Sequence, residues 1–130
     1  MTIVFTNGCF DIIHAGHIQY LEDSKRICQG DKLVVGLNSD ASMERIKRKP
    51  FNTQKNRKRV LEALRIVDEV HIFEEDTPYD LIKQIKPDII VKGGDYKKSQ
   101  VVGSDLAQVH IYEFIDGYST TKIIENISHR

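Results

Sequence analysis

Short apolar runs alternate along this chain with stretches in which apolar residues recur every three or four positions. Thr2–Thr6 (TIVFT), Lys32–Leu37 (KLVVGL), Glu69–Phe73 (EVHIF), Asp88–Val91 (DIIV) and Val109–Phe114 are rich in β-branched residues, the pattern of strands. Between them, Ile18–Ile27 carries Ile18, Leu21 and Ile27 at helical spacing, and Arg57–Ile66 places Val60, Leu61 and Leu64 on one stripe. Pro78 suits the first turn of a helix running to Ile85, and Pro87 stops it. Ser119–Ile127 reads as a closing helix. This alternation predicts an α/β fold: a Rossmann-like, doubly wound, parallel five-stranded sheet with helices on both faces. No repeat, low-complexity stretch or linker interrupts it, so residues 1–130 read as a single domain. In such sheets ligands bind beyond the carboxyl ends of the strands, where the strand order reverses. The segments following strands one, two, four and five therefore carry the functional interest.

Composition narrows the classes. A hydrophobic fraction of 40% suffices for a real core. Lys+Arg and Asp+Glu both number 19, so no net field draws the chain to nucleic acid or an anionic membrane, and neither is expected as a partner. Charge is uneven locally: Arg45–Arg59 holds eight Lys or Arg and no carboxylate, a pattern that most often marks a solvated face. The opening MTIVFTNGCF does not resemble a secretory leader, and no apolar run approaches the ~18 residues of a membrane-spanning helix. Two cysteines, Cys9 and Cys28, are too few for a disulfide framework and fit a reducing compartment, so a cytoplasmic protein is expected.

After the first strand comes Asn7-Gly8-Cys9-Phe10-Asp11, then His14-Ala15-Gly16-His17 at the opening of a helix. Histidines at i and i+3 share one face of a turn, and N–H groups at a helix start favour anions. The imidazoles there could hold a triphosphate; equally, one could cap the helix while the other sits at the surface. A zinc reading with Cys9, His14 and His17 lacks a fourth ligand at a usual spacing, and no resident metal is expected. Asn38-Ser39-Asp40 could be no more than a turn and helix cap, Lys47 and Arg57 no more than solvated cations. Gly93-Gly94 could be a flexible turn or a place where backbone approaches a nucleotide, and Ser119-Thr120-Thr121 an N-cap or a phosphate contact.

The run TNGCFDIIHAGHIQYLEDSK resembles the first motif of the HxGH nucleotidyltransferases, in their cytidylyltransferase-like branch. With NSDAS, FEEDTP, VKGGDY and DGYSTTKII following in order, the chain is similar over nearly its whole length to the bacterial D-glycero-β-D-manno-heptose 1-phosphate adenylyltransferases. The resemblance implies transfer of AMP from ATP to a sugar 1-phosphate with release of pyrophosphate, Mg²⁺ as the accompanying cation, a homodimer, and a separate sugar kinase supplying the acceptor. It implies catalytic roles for His14, His17, Arg57 and Lys47, with Arg57 contacting the triphosphate. The nucleotide site it implies comprises Thr6, Asn7, Gly8, Cys9, Phe10 and Gly16, then Asn38 and Asp40, then Lys92, Gly93, Gly94, Asp95 and Tyr96, and finally Ser119, Thr120 and Thr121.

Two departures separate the chain from the sister glycerol-3-phosphate cytidylyltransferases. Their RTEGISTT stretch is here Phe114-Ile115-Asp116-Gly117-Tyr118 before the hydroxyl run, without the arginine, and their glycine–aspartate–aspartate loop is here Gly93-Gly94-Asp95. The segment Lys97–Gln108 is also shorter than in the heptose enzymes. A glycerol-3-phosphate cytidylyltransferase and a non-catalytic nucleotide-binding regulator are the competing readings. A dinucleotide oxidoreductase would need GxGxxG after the first strand and a P-loop kinase GxxxxGK[ST]; neither is present.

Overall fold

A computed structural model describes residues 1–113. Five strands form one sheet: β1 (Ile3–Gly8), β2 (Lys32–Asn38), β3 (Glu69–Phe73), β4 (Ile89–Gly93) and β5 (Gln108–Tyr112). Their order is β3-β2-β1-β4-β5 and every pairing is parallel, as the alternation required. Helices α1 (Ala15–Ile27), α2 (Asp40–Ile46), α3 (Gln54–Glu62) and α4 (Tyr79–Ile85), with a short 3₁₀ turn at Lys98–Gln100, complete the described residues.

Neighbouring residues on each strand feed two separate cores, because side chains alternate across a strand. Val4, Leu33, Val35, Leu37 and Val91 point to the face covered by Tyr20 and Leu21 of α1 and Leu61 of α3. Phe5, Val34 and Ile90 point to the other face, against Ile82 of α4 and Val101. Burial on both faces explains the continuous apolar runs of β1 and β2. Gly36 lets β2 pass the Phe5 ring, since a Cβ there would lie 2.7 Å from it. Gly103 adopts φ +91°, and a Cβ there would meet Ile90 at 2.7 Å and Ile82 at 2.9 Å.

Polar groups inside the α1 face are matched. The Tyr20 hydroxyl donates to the Val91 carbonyl at 3.1 Å and meets the Thr6 hydroxyl at 2.6 Å. Tyr112 donates to Asp23 at 2.6 Å, and that contact, with Arg26 and Gln19, holds the Asp23 carboxyl below the usual range against the opposing effect of burial.

Several boundaries differ from the sequence expectation. β1 runs two residues past Thr6, which carries Asn7 and Gly8 to the sheet edge. α1 begins at Ala15, where the histidine cap sets its start. α3 occupies Gln54–Glu62 rather than 57–66, because the Thr53 hydroxyl accepts from Asn56 N–H and starts the helix earlier. Val60, assigned to its apolar stripe, is 48% exposed; Arg57 and Leu61 form the buried one. Helix α2 was signalled only by the cap reading of Asn38-Ser39-Asp40, where Ser39 is indeed its N-cap; its roughly two turns bury only Ser42 and Met43, too little for a periodic signal. The end of the fifth expected strand at Phe114 and the closing helix Ser119–Ile127 lie outside the described residues.

Candidate active site

β1 is the point where the strand order turns, with β2 and β3 on one side and β4 and β5 on the other. There the carboxyl ends of β1 and β4 border a cleft of about 180 Å³ lined by Asn7, Gly8, Cys9, Phe10, Asp11, His17, Tyr20, Lys47, Arg48, Lys92 and Gly93. Phe10 holds φ +46°, a conformation unusual for a bulky residue, and so turns the chain sharply from β1 toward α1. Its ring lies over Gly8, where a Cβ would be 3.0 Å away, and edge-on to His17 at 5.5 Å between centroids.

Both histidines build the start of α1. His14 is the N-cap, its Nδ1 accepting from Gly16 N–H at 3.0 Å, and His17 Nδ1 accepts from His14 N–H at 3.2 Å. A ring whose Nδ1 accepts carries its proton on Nε2 when neutral, so these bonds select one tautomer for each. The rings stack at 3.9 Å between centroids, an arrangement that disfavours charge on both. Burial, the neighbouring His14 and Lys47 push the pKa of His17 down to about 4, and burial lowers that of His14. The pair is therefore a set of neutral N–H donors near neutral pH. The cap reading and the ligand reading of the sequence are compatible: Nδ1 serves the helix while His17 also lines the cleft.

Three cations reach the same cleft. Lys47 and Arg48 come from the connection after α2, and Lys92 from β4, its Nζ 5.2 Å from the centre of the Tyr96 ring. Cys9 stays a protonated thiol, since burial raises its pKa and outweighs the lowering by Lys47, Arg57 and Arg48. A neutral donor and three cations around a strand-end cleft suit a polyanion with several phosphate oxygens.

A match to the cytidylyltransferase-like family spans residues 5–126. The chain belongs to the cytidylyltransferase-like family. It is similar to the Bifunctional protein HldE of Nitratiruptor sp., with 57% identity over 128 residues, 96% of this chain and 27% of that protein. The Bifunctional protein HldE of Campylobacter jejuni strain RM1221 is 56% identical over 131 residues, 98% of this chain and 28% of that one. The chain thus spans under a third of the length of these relatives. Among solved structures, the lipopolysaccharide core biosynthesis protein from Thermoplasma volcanium GSS1 superposes with a TM-score of 0.76 at 29% identity, covering 92% of this chain and 99% of that one. Membership makes the chain a nucleotidyltransferase.

Within this cytidylyltransferase-like chain, Arg57 departs from the expectation of a direct phosphate contact. It is 1% exposed, and its guanidinium is spent on protein groups: Nε donates to the Asn52 carbonyl at 3.0 Å, Nη1 to the Cys9 and Asn38 carbonyls at 2.8 and 2.9 Å, and Nη2 to Asp40 at 2.8 Å. It joins the ends of β1 and β2 to α3, so its place is that of a strut behind the cleft. Asn38 and Asp40 belong to the same strut rather than to the lining. Asn38 also donates to the Ser42 hydroxyl at 3.1 Å, and Asp40 N–H to Gln54 at 2.9 Å. Asn38 is buried in that framework, and Asp40 commits Oδ1 to it while its side chain stays 40% exposed.

Thr6 lies one layer below the cleft, bonded to Tyr20, and Gly16 is buried in the first turn of α1. Gly94 takes φ +111° and turns the chain outward, leaving Asp95 and Tyr96 exposed beyond the lining. Ser119, Thr120 and Thr121 lie outside the described residues. Asp11, Tyr20 and Arg48 line the cleft without having been picked from the sequence. Among the described residues no three His, Cys, Asp or Glu side chains gather to hold a metal. The one carboxylate in the lining, Asp11, is already engaged by Arg48 and two backbone N–H groups. These described residues do not fit a protein-held Mg²⁺. No helix among the described residues is long and apolar enough to cross a membrane.

Proposed function

We propose that this chain transfers AMP from ATP to D-glycero-β-D-manno-heptose 1-phosphate, giving ADP-heptose and pyrophosphate. The observation that carries the reading is the convergence of the neutral His17 donor, stacked on His14, with Lys47, Arg48 and Lys92 on the strand-end cleft where the sheet order turns. A phosphate oxygen of the sugar 1-phosphate attacks the α-phosphorus in line; the new P–O bond forms as the bond to the β-phosphate oxygen breaks, and the electron pair leaves with pyrophosphate. The attacking oxygen is already anionic, so no general base is required, and catalysis rests on positioning and charge stabilisation. His17, with His14 beside it, donates N–H bonds to the reacting phosphates, while Lys47, Arg48 and Lys92 offset the charge gathering on the leaving group. Arg57, Asn38 and Asp40 keep the loop after β1 in register with β2.

The choice of ATP and a heptose acceptor is supported by the VKGGDY and DGYSTT stretches, which resemble the heptose adenylyltransferases and lack the arginine of the glycerol-3-phosphate cytidylyltransferases. A homodimer, a cytoplasmic location and a sugar kinase activity supplying the sugar 1-phosphate complete the proposal. The class of reaction is tested by following pyrophosphate with each substrate alone and with both. Release that requires triphosphate and sugar phosphate together supports transfer; tight nucleotide binding without release under any combination identifies a regulator instead.

A further inference from the structure

The cation-rich stretch 45–59 is not held as a free solvated face: part of it is tied to a carboxylate on another loop. Asp11 follows the Phe10 turn directly, and its side chain is 1% exposed. Oδ2 accepts from Arg48 Nη1 at 2.6 Å and from Phe51 N–H at 2.8 Å, while Oδ1 accepts from Asn52 N–H at 2.8 Å. Asn52 Nδ2 donates back to the Asp11 carbonyl at 2.5 Å, and the Arg48 guanidinium lies 4.5 Å from the centre of the Phe51 ring. Burial alone would raise the Asp11 pKa, but Phe51 N–H, Arg48 and Asn52 N–H together hold it below the usual carboxylate range. Upstream, Lys47 is anchored as the C-cap of α2, its N–H donating to the Met43 carbonyl at 2.8 Å. The connection is thus fixed at both ends, with Lys47 and Arg48 facing the cleft between the anchors.

A carboxylate at the edge of a polyanion site is unfavourable unless its charge is met locally, and a buried one must be. Here residues 48–52 meet it, and in doing so they tie Arg48, and the backbone that carries Lys47 next to it, to the loop after β1. We propose that Asp11 is a positioning residue, whose carboxylate clasps residues 48–52 onto the loop after β1 and so holds Lys47 and Arg48 over the cleft that receives the triphosphate. The second half of this statement rests on the reading under Proposed function; the clasp itself does not.

The test uses the full chain, with Asp11→Asn removing the charge and one acceptor, and Asn52→Ala removing only the reciprocal bond from an exposed side chain. Native-state trypsin cleavage after Lys47 and Arg48 reports the clasp, since Lys49 precedes Pro50 and resists cleavage. Calorimetric binding of Mg–ATP reports its service to the site. Both variants are expected to be cut about tenfold faster and to bind Mg–ATP about tenfold more weakly, one decade in each equilibrium. In a Lys47→Ala/Arg48→Ala background, read by Mg–ATP binding alone, Asp11→Asn is expected to cost less than about twofold more, because its effect runs through those cations. Unchanged cleavage in Asn52→Ala and Asp11→Asn overturns the clasp. Faster cleavage with unaltered Mg–ATP affinity, or full additivity in the double-cation background, overturns its role in positioning. Should Asp11→Asn fail to fold, Asn52→Ala decides both readouts. A wild-type chain that binds no Mg–ATP refutes the proposed function, while the cleavage rates still decide the clasp.

Discussion

Replacing Arg57 by alanine separates a strut from a substrate contact. The side chain is 1% exposed and makes four hydrogen bonds, to the carbonyls of Cys9, Asn38 and Asn52 and to the Asp40 carboxylate. Removing one partner of a buried ion pair costs about 3–5 kcal/mol when the remaining charge stays buried. The Asp40 side chain is 40% exposed and rehydrates, so the pair itself contributes less than that range. The three carbonyls add about 1 kcal/mol or more each where water does not replace the guanidinium. Together these give a loss of about 3–5 kcal/mol, a large fraction of an ordinary domain's ~5–15 kcal/mol stability. At about 4 °C per kcal/mol for a domain of this size, the melting temperature should fall by roughly 12–20 °C. Arg57→Lys keeps the charge but loses the planar fork and should recover under half of that loss. Thermal unfolding by circular dichroism with and without saturating Mg–ATP is the assay. A melting temperature within 2–3 °C of wild type, with nucleotide affinity alone reduced, would refute the strut and restore Arg57 as a phosphate ligand.

Three further outcomes follow from the same geometry. His17→Ala should lower turnover by about 100-fold, the scale of losing one charge-stabilising donor, while the lost cap bond costs the fold only about 1 kcal/mol; near-normal pyrophosphate release would remove His17 from the chemistry. Because the folded pKa of His17 is depressed to about 4, its contribution to stability is fully present above the unfolded value near 6.5 and fades as pH falls toward 4. An imidazole proton titrating near 6.5 by NMR would contradict this. Gly103→Ala forces a Cβ to within 2.7 Å of Ile90 at a positive φ and should cost about 1–3 kcal/mol in denaturant unfolding, with no change in nucleotide affinity.

The sheet was legible because its strands are buried on both faces and so read as unbroken apolar runs, and the histidine pair was legible because it opens a helix just past such a run. What escaped the sequence lies mostly in the basic stretch. Arg57 sits among Lys55, Lys58 and Arg59, and the resemblance puts it on the triphosphate, although its i, i+4 relation to Leu61 places it on the buried stripe. α2 buries a single apolar side chain, Met43, and gives no period to detect. Asp11 and Arg48 meet across 37 residues, and no local pattern encodes that distance. The boundary of α3 was missed because the Thr53 cap acts through one side-chain bond rather than through hydrophobicity.

The most direct test of the central claim crosses ATP and CTP with D-glycero-β-D-manno-heptose 1-phosphate and glycerol 3-phosphate, comparing kcat/KM for pyrophosphate release. Adenine and cytosine present different hydrogen-bonding edges, and a site that leaves a buried partner unpaired rejects the wrong one by ~10⁴-fold or more at best. The account predicts that ATP with the heptose 1-phosphate exceeds every other pair by at least about 100-fold, with ADP-heptose as the product. A preference for CTP with glycerol 3-phosphate would contradict it.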